Sequence, residues 1–416
     1  MENKNIILRE WRRAAQMELE GNILPFWLRL EDPVGGGFYG QVSGTGMLNR
    51  NALRGGILYA RILWAFSAAY RFSPQVSYLE AAHRAFRYIE QHFVDPEYGG
   101  TYWSVKPNGQ PHSTRKQFYD LAFNIYALAE YFMATANEKA LKLAISLYHD
   151  IEQHSIDPAY GGYIEATGRD WSQIADMRLS PLDANYPKSQ NTHLHILEAY
   201  TNLYRVWPSD QLRKSLRNLI DIFRRRIVDL ETDHLNLFFT MEWMPGGDRI
   251  ESYGHDIEYT WLLTEAAEVL CDPEVTRRAL KLVDRVAVAS RKGLNPDGSM
   301  NHEGNVTQGT VDTDRHWWVQ AETVIGFLNH YQLFGDEESL DQSYNCSQYI
   351  KRCIVDHTGG EWYWSRNAQG QINTKDDKAG FWKCPYHNSR MCLEILSRIT
   401  PDGDVKQPTI LTGVLD

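Results

Sequence analysis

The sequence predicts an all-α protein, an (α/α)6 barrel of twelve helices in six hairpins, and two observations support this prediction. Apolar residues recur at three- and four-residue steps along most of the chain, whereas signals for β-hairpins are few and short. A short turn sequence also recurs between helices of two alternating kinds. Together they predict one helical hairpin used six times, within a single catalytic domain covering residues 1–416.

The two kinds of helix differ in how their apolar residues are distributed. Segments such as YLEAAHRAFRYIEQHF (78–93) and LRKSLRNLIDIFRRRIVDL (212–230) are apolar on one face and charged on the other. Segments such as LAFNIYALAEYFMA (121–134) and AETVIGFLNHYQLF (321–334) are apolar nearly all round. We therefore expect the second kind to form the inner ring of the barrel and the first kind to form the outer ring.

The turn that separates the two kinds of helix returns about every 60 to 75 residues. Its copies are EDPVGGGFYG at 31, DPEYGGTYW at 95, DPAYGGYIE at 157, ETDHLNLFF at 231, NPDGSMNHE at 295 and DHTGGEWYW at 356. An open solenoid is the alternative to a closed ring, but it requires polar capping repeats that the sequence lacks. The repeats extend to about residue 400, and PDGDVKQPTILTGVLD (401–416) is predicted to be a tail.

Composition and charge exclude several classes of function. The net charge of −10 comes with no dense basic run, which disfavours nucleic acid and anionic membranes as partners. No apolar run approaches the roughly 20 residues that span a bilayer, and MENKNIILREW lacks the apolar core of a signal peptide. The five cysteines have no zinc-like spacing, which favours reduced thiols. We expect a cytoplasmic monomer without a cofactor.

Polar, ionisable and aromatic residues collect at the starts of the apolar helices, where the six turns lead into the inner ring. In a closed barrel these helix ends open on one face. The residues are Arg61, Tyr119, Asn191, His193, His195, His255, Glu258, Trp318, Glu322, Trp382, His387 and Arg390. Any one of them could be a packing residue, but buried charge is costly unless it is paired or used, so the set predicts a binding pocket. The 13 Trp and 23 Tyr suit sugar rings.

The stretch SQNTHLHILEAY (189–200) carries two histidines two residues apart on a predicted helix. Because each helical residue turns by about 100°, His193 and His195 point in nearly opposite directions. Asn191 and His195 are four residues apart and share a face. We expect His195 to face the pocket and His193 to face away from it.

The residue types leave several chemistries open. Histidines near carboxylates could bind a metal, but the divergence of His193 and His195 and the lack of a zinc-helix spacing argue against it. A glycosidase needs two opposed carboxylates, which Glu258, Glu322 and Asp183 could supply. Histidine is the recurrent residue, however, and it favours proton transfer at carbon. A catalytically inert sugar-binding barrel is a further alternative, and no GxGxxG or P-loop indicates a nucleotide.

Five motifs carry a resemblance to a known family: ARILWAFSAAYR, NTHLHILEAYTNLYRVWP, YGHDIE, DTDRHWWVQAE and GFWKCPYHN. As a set they resemble the N-acylglucosamine 2-epimerase superfamily, most closely its cellobiose 2-epimerase branch, over nearly the full chain. The resemblance implies the (α/α)6 barrel and a cofactor-independent inversion at C2 of the reducing-end glucose in β-1,4-linked disaccharides such as cellobiose and lactose. The alternative within the family is a mannobiose 2-epimerase or a mannose aldose–ketose isomerase.

The resemblance also implies roles for individual residues. It makes His255 and His387 the acid/base pair at C2 and gives His195 a part in opening the sugar ring. No residue is implied as a metal ligand. Arg61, Tyr119, Asn191, Trp243, Glu258, Trp318, Glu322 and Trp382 are implied to contact the substrate. Gln117, Leu121 and Tyr259 depart from the family pattern, and we expect them to reshape the pocket wall.

Overall fold

Helices make up most of the computed structural model, which describes the backbone of residues 2–411 and the side chains of residues 4–410. The α-helices are α1 (Glu2–Glu18), α2 (Leu24–Leu28), α3 (Gly56–Phe72), α4 (Val76–Tyr88), α5 (Phe118–Thr135), α6 (Glu138–His154), α7 (Gln190–Val206), α8 (Asp210–Ile222), α9 (Tyr253–Leu270), α10 (Pro273–Ser290), α11 (Trp317–Phe334), α12 (Glu337–Tyr349) and α13 (His387–Arg398). A π-helical turn, Leu19–Ile23, joins α1 to α2, so that the two form one outer helix.

The inner ring consists of α3, α5, α7, α9, α11 and α13. Each packs on the next along the chain, and α13 returns to contact α3, which closes the barrel. The outer helices pack behind this ring, and residues of α5 such as Leu121, Ile125 and Leu128 are completely buried. The prediction of twelve helices in two rings is therefore confirmed, and the all-round apolar character of the inner helices reflects burial on every side.

Short antiparallel strands connect neighbouring repeats. They are β1 (Arg54–Gly55), β2 (Ser104–Val105), β3 (Pro111–Ser113), β4 (Lys116–Gln117), β5 (Ala166–Thr167), β6 (Lys188–Ser189), β7 (Phe238–Phe239), β8 (Pro245–Gly246), β9 (Ile250–Ser252), β10 (Glu303–Asn305), β11 (Thr310–Asp312), β12 (Arg315–His316) and β13 (Ser365–Arg366). They pair as β1-β2-β3, β4-β5, β6-β7-β8, β9-β10-β11 and β12-β13. Because β1, β4, β6, β9 and β12 directly precede inner helices, these sheets lie at the N-terminal end of the inner ring.

The repeated turn has the same construction in successive repeats. The Asp95 amide donates to the Gly100 carbonyl, and the Asp95 carboxylate forms a buried ion pair of 3.0 Å with Lys116 from the strand before α5. Asp32–Arg54, Asp157–Lys188 and Asp356–Lys378 repeat this pair. In four of the six repeats, a buried ion pair thus links the turn to the segment that precedes the next inner helix.

The structure places two sequence features differently. The fourth turn begins at Asp229, whose amide donates to the His234 carbonyl, and so starts two residues before the copy identified at 231. The first part of the predicted tail packs on the barrel: Gln332 donates to the Lys406 carbonyl at 2.6 Å, and Ile410 is buried. Residues 412–416 lie outside the described residues. Among residues 2–411, no helix combines the length and apolarity needed to cross a bilayer.

Candidate active site

The N-terminal turns of the six inner helices meet at one end of the barrel. Arg61 on α3 donates to the Tyr119 hydroxyl on α5 at 2.8 Å, and to the Trp382 carbonyl at 3.3 Å. The Tyr119 ring in turn contacts the His195 ring on α7 edge-on, with centroids 5.0 Å apart. The structure therefore brings together residues that are separated by up to 321 positions in the sequence.

His387, the first residue of α13, is oriented by a carboxylate of the neighbouring inner helix. Its Nδ1 lies 2.6 Å from Glu322 Oε1, and both groups are buried. Burial lowers the pKa of His387 to about 3, against the opposing effect of Glu322. The imidazole is therefore neutral, with Nδ1–H directed at the carboxylate and Nε2 left for another partner.

His195 has the same arrangement within a single helix. Its Nδ1 lies 2.8 Å from Glu198 Oε2, one turn further along α7, and burial lowers its pKa. The ring packs against Phe123 with centroids 4.6 Å apart. His195 thus faces the cluster, as predicted.

His193 faces away from the cluster, and both of its ring nitrogens form hydrogen bonds with backbone groups. Its Nδ1 lies 2.7 Å from the Ser189 carbonyl, and its Nε2 accepts from the Tyr163 amide at 3.0 Å. Burial lowers its pKa to about 4, so that it is neutral. The prediction that the two histidines diverge is confirmed, and His193 holds α7 to the turn at 157–163.

His255, the third residue of α9, is the least enclosed of the three clustered histidines. Its Nδ1 lies 2.8 Å from Ser252 Oγ, and its ring contacts the Trp318 indole with centroids 4.8 Å apart. His387 reaches the same indole at 5.8 Å. Burial, and then the neighbouring imidazoles of His195, His302 and His387, lower the pKa of His255 to about 3.

Arg390 on α13 links the carboxylates of three other inner helices. Its Nη2 donates to Glu258 Oε1 and to Glu322 Oε1, each at 2.7 Å, and its Nη1 binds Glu198 and the Tyr386 hydroxyl. Burial opposes ionisation of Glu322, but Arg390 and His387 outweigh it and lower the pKa of Glu322 to about 2. Burial and the charge of Glu322 raise the pKa of Glu258. Arg390 thus fixes Glu198 and Glu322, the two carboxylates that orient His195 and His387.

Two half-buried tryptophans line the open side of the cluster. Trp318 contacts His255 and His387, and Trp382 packs near Tyr119 and Trp103 with centroids 6.3 and 5.9 Å apart. The Asn191 Oδ1 atom is buried and has no hydrogen-bond partner within residues 2–411, one turn before His195. Aromatic faces beside unsatisfied polar atoms are features of a site that binds a polar ring.

Comparison with known proteins is consistent with this geometry. The sequence pattern of the N-acylglucosamine 2-epimerase (GlcNAc 2-epimerase) family matches residues 37–390. The chain is 50% identical over 386 residues to the cellobiose 2-epimerase of Bacteroides fragilis, covering 92% of this chain and 98% of that protein. The chain belongs to the N-acylglucosamine 2-epimerase family.

Two further members support this assignment. A cellobiose 2-epimerase of Ruminococcus albus is 38% identical over 384 residues, covering 92% of this chain and 97% of that protein. The solved structure of cellobiose 2-epimerase from Bacillus thermoamylovorans B4167 superposes with a TM-score of 0.89 at 40% identity, covering 94% of this chain and all of that chain. The family and the barrel fold are thus established over nearly the whole chain.

The structure separates some predicted site residues from the cluster. Trp243 packs on His193 and donates to the carbonyls of Tyr160 and Gly161 at 3.0 and 3.2 Å, in the turn behind α7. Gly162, with φ +79°, allows this contact, because a Cβ there would lie 2.2 Å from the Trp243 ring. Trp243 is therefore remote from the His195 side of α7.

Three residues depart from the family pattern, and one of them, Tyr259, lies away from the pocket wall where it was expected. Tyr259 stacks on Phe223, the residue that follows α8, with ring centroids 4.7 Å apart. Tyr259 therefore lies between the inner and the outer ring of helices. The expectation that it reshapes the pocket wall is wrong. Leu121 is completely buried, and Gln117 donates to the Arg178 carbonyl at 2.8 Å, which ties β4 to the long loop before β6.

Several members of the cluster are absent from the predicted set. Glu198 orients His195, Tyr386 donates to Glu198, and Trp261 donates to Glu322 at 2.9 Å. Glu198 follows His195 by three residues, and Tyr386 precedes Arg390 by four, so helical spacing from predicted residues identifies both. Ser252 precedes α9 as its N-cap residue, and only the structure shows that its hydroxyl contacts His255.

The arrangement of carboxylates bears on the glycosidase alternative. Glu258 and Glu322 accept hydrogen bonds from the same nitrogen of Arg390, so they lie side by side on one guanidinium. A glycosidase needs two carboxyl groups on opposite sides of the scissile bond. Asp183 lies in the loop before β6 and accepts from the Ser180 amide. Glu258 and Glu322 therefore do not form the opposed pair that glycoside hydrolysis requires.

Proposed function

We propose that this protein is a cofactor-independent cellobiose 2-epimerase, which interconverts glucose and mannose at the reducing end of β-1,4-linked disaccharides. One observation carries the proposal: three clustered imidazoles each have Nδ1 held by another side chain. His195 is held by Glu198, His255 by Ser252 and His387 by Glu322. Each Nε2 is thereby left for the substrate. The carboxylates of Glu198 and Glu322 accept from Nδ1–H, which leaves the Nε2 atoms of His195 and His387 able to accept a proton. The Ser252 hydroxyl can donate or accept, so it allows either tautomer of His255.

The first step opens the sugar ring. A reducing sugar is mainly a closed hemiacetal, so the O1 proton must leave while the ring oxygen gains one. His195 lies beside Tyr119 and is held by Glu198, so it is placed to take or give this proton. The C1 aldehyde that forms acidifies the C2 proton, so no cofactor is required for the next step.

The second step inverts C2. One imidazole of the pair His255 and His387 removes the C2 proton, and the C–H electron pair becomes the C1=C2 bond of an enediolate with negative charge on O1. The other imidazole, which takes up a proton from solvent on Nε2 before this step, delivers it to the opposite face of C2, and O1 again becomes a carbonyl. The first imidazole then releases the C2 proton to solvent. Both rings contact the Trp318 indole, with centroids 4.8 and 5.8 Å apart, which supports their action on the same sugar.

The negative charge on O1 needs a fixed donor. Arg61 is buried, its guanidinium packs 4.1 Å from the Phe123 ring, and its Nε has no partner within residues 2–411. A preorganised cation of this kind stabilises charge that develops in the transition state without further reorganisation. We assign Arg61 and Tyr119 to this role.

The half-buried indoles of Trp318 and Trp382 support a substrate larger than one sugar ring. The relatives from Bacteroides fragilis and Ruminococcus albus are both named cellobiose 2-epimerases. Asn191, Glu258 and Glu322 complete the proposed substrate side, with Glu322 acting through His387. We assign Trp243 no substrate contact, because it packs on His193 on the opposite side of α7.

A metal ion is not part of the proposed reaction. Glu258, Glu322 and His387 lie close enough to chelate a cation, but Arg390 already places its guanidinium on both carboxylates. A second cation there would be repelled by the first. We further propose a monomeric, cytoplasmic protein with one catalytic domain, because the described cysteines are unpaired and the barrel closes within one chain.

Incubation with cellobiose, followed by NMR of the products, tests the proposed function. We expect new mannose-type reducing-end signals and no monosaccharide. A ketose would indicate an isomerase, free glucose would indicate a hydrolase, and unchanged cellobiose would indicate a binding protein. Each of these three results contradicts the proposal.

A further inference from the structure

We propose that His302, Asp312 and His316 form a binding site for a divalent transition-metal ion at the mouth of the barrel, separate from the reaction centre. Each residue offers one ligand atom, and these atoms all lie within 4.8 Å of one another. Two imidazoles and one carboxylate are a ligand set suited to Zn²⁺ or Ni²⁺. None of the three belongs to the proposed catalytic machinery.

The ligands are held in place by backbone structure. The strands β10 and β11 form an antiparallel hairpin, and the His302 amide donates to the Asp312 carbonyl at 3.1 Å. His316 ends β12, which is itself paired with β13. Because all three positions lie on paired strands or beside them, the backbone that carries the ligands is already ordered, and binding an ion requires movement of side chains only.

The side chains are accessible and close together. The side-chain exposures of His302 and Asp312 are 22% and 44%, so an ion can reach them from solvent. His302 Nδ1 lies 2.9 Å from Asp312 Oδ2, and the His302 and His316 rings stack with centroids 4.0 Å apart. A metal binds in the plane of an imidazole, so coordination requires these stacked rings to tilt apart. Three protein ligands would leave a coordination position for water.

The site also adjoins the reaction centre. The His302 ring meets the Trp318 indole edge-on at 6.2 Å, and the same indole contacts His255 at 4.8 Å. A movement of His302 on binding an ion therefore alters its contact with the tryptophan that borders both proposed acid/base histidines. If the proposed function holds, we expect the ion to inhibit epimerisation.

Metal binding is measured directly, so that the result does not depend on activity. The full chain is stripped with EDTA, dialysed, and titrated with Zn²⁺ by calorimetry. Co²⁺ serves as a spectroscopic probe of nitrogen and oxygen ligation. We expect one Zn²⁺ per chain and at least about tenfold weaker binding for His302→Gln and for Asp312→Asn, since even loss of a supporting group commonly weakens metal sites by this factor. His112→Gln is the matched control, because His112 is an exposed hairpin histidine of β3 in another repeat. It should bind as the wild type does.

Three outcomes would overturn the proposal. The first is no saturable binding of Zn²⁺ to the wild type, and the second is equal affinity in wild type and both variants. The third is binding that survives in His302→Gln but is lost in His387→Asn, which would place the ion in the catalytic pocket. Circular dichroism establishes that each variant is folded. If a histidine variant does not fold, Asp312→Asn still tests the site, because Asp312 is exposed.

Discussion

The two histidines of α7 allow a matched test, because they share a helix and a residue type but have opposite surroundings. His193→Ala removes a ring that is bonded only to backbone groups, at Ser189 and Tyr163. His195→Ala removes a ring that is held by Glu198 and faces the other clustered histidines. We expect the first substitution to cost stability and the second to cost turnover.

The magnitudes follow from the partners that are lost. Without His193, the Tyr163 N–H is left unpaired in a buried site, whereas the Ser189 C=O keeps the helical hydrogen bond from the amide of residue 193. The free energy of unfolding should therefore fall by about 1–3 kcal/mol. Glu198 keeps Arg390 and Tyr386 as partners when His195 is removed. The stability loss there is smaller, whereas kcat should fall by roughly 10²–10⁴-fold, as for a positioned acid or base.

Urea unfolding gives the stability of each variant, and NMR of cellobiose epimerisation gives kcat. His193→Ala should keep a kcat of the wild-type order at a temperature where it is folded. The reasoning is refuted if His193→Ala loses turnover without losing stability, or if His195→Ala turns over at the wild-type rate.

Three further predictions concern the carboxylate, metal ions and pH. Glu322→Gln should lower kcat by at least about tenfold, because an amide can present its N–H to His387 and favour the wrong tautomer, and a kcat equal to wild type would contradict this. Dialysis against EDTA should leave the kcat for cellobiose unchanged, and a loss that a divalent ion restores would contradict our assignment of the clustered histidines. The loss of unfolding free energy in His193→Ala relative to wild type should shrink as pH drops from about 6.5 to 4, by up to about 1.36 kcal/mol per pH unit. The sign follows because burial lowers the pKa of His193 to about 4, so acidification destabilises wild type through a proton that only the unfolded chain binds, and the variant lacks this group. The comparison cancels the opposing carboxyls Asp120 and Glu165, whose pKa values burial raises to about 7; a difference that is constant across this range in urea titrations would contradict it.

The fold could be predicted because the buried faces of helices require apolar residues at regular intervals in the sequence. An inner helix such as α5 is enclosed on all sides and needs apolar residues all round, whereas an outer helix such as α4 needs them on one face. The position of the fourth turn could not be predicted as well, because Asp233 takes the left-handed conformation, with φ +62°, where other copies have glycine. The packing of residues 401–411 depends on tertiary contacts that leave no periodic pattern.

The sequence predicts which residues belong to the site better than it predicts which of them form hydrogen bonds with each other. Residues at the first turns of the inner helices, such as His387 and Glu322, must converge if the ring closes. Which carboxylate holds which imidazole depends on the adjacency of α11 and α13, and this pairing only appears in three dimensions.

Helical geometry explains one of the two differences from expectation, the position of Tyr259. Tyr259 follows Glu258 by one residue, so it points about 100° away from it and into the outer ring. The same rule that separates His193 from His195 would have excluded Tyr259 from the pocket wall. Trp243 lies in the connection between β7 and β8, where no periodicity indicates the direction of a side chain.

The central claim is that His255 and His387 move protons on opposite faces of C2, and epimerisation of cellobiose in D2O by wild type, His255→Asn and His387→Asn tests it most directly. Wild type should place deuterium at C2 of the epimerised product, and each variant should remain folded and lose at least the roughly 10²–10⁴-fold in kcat typical of a general acid or base. Complete return of the original proton would also suppress labelling, so the label and the two rates are read together. Full activity in either variant, or in both, would contradict the proposed pair.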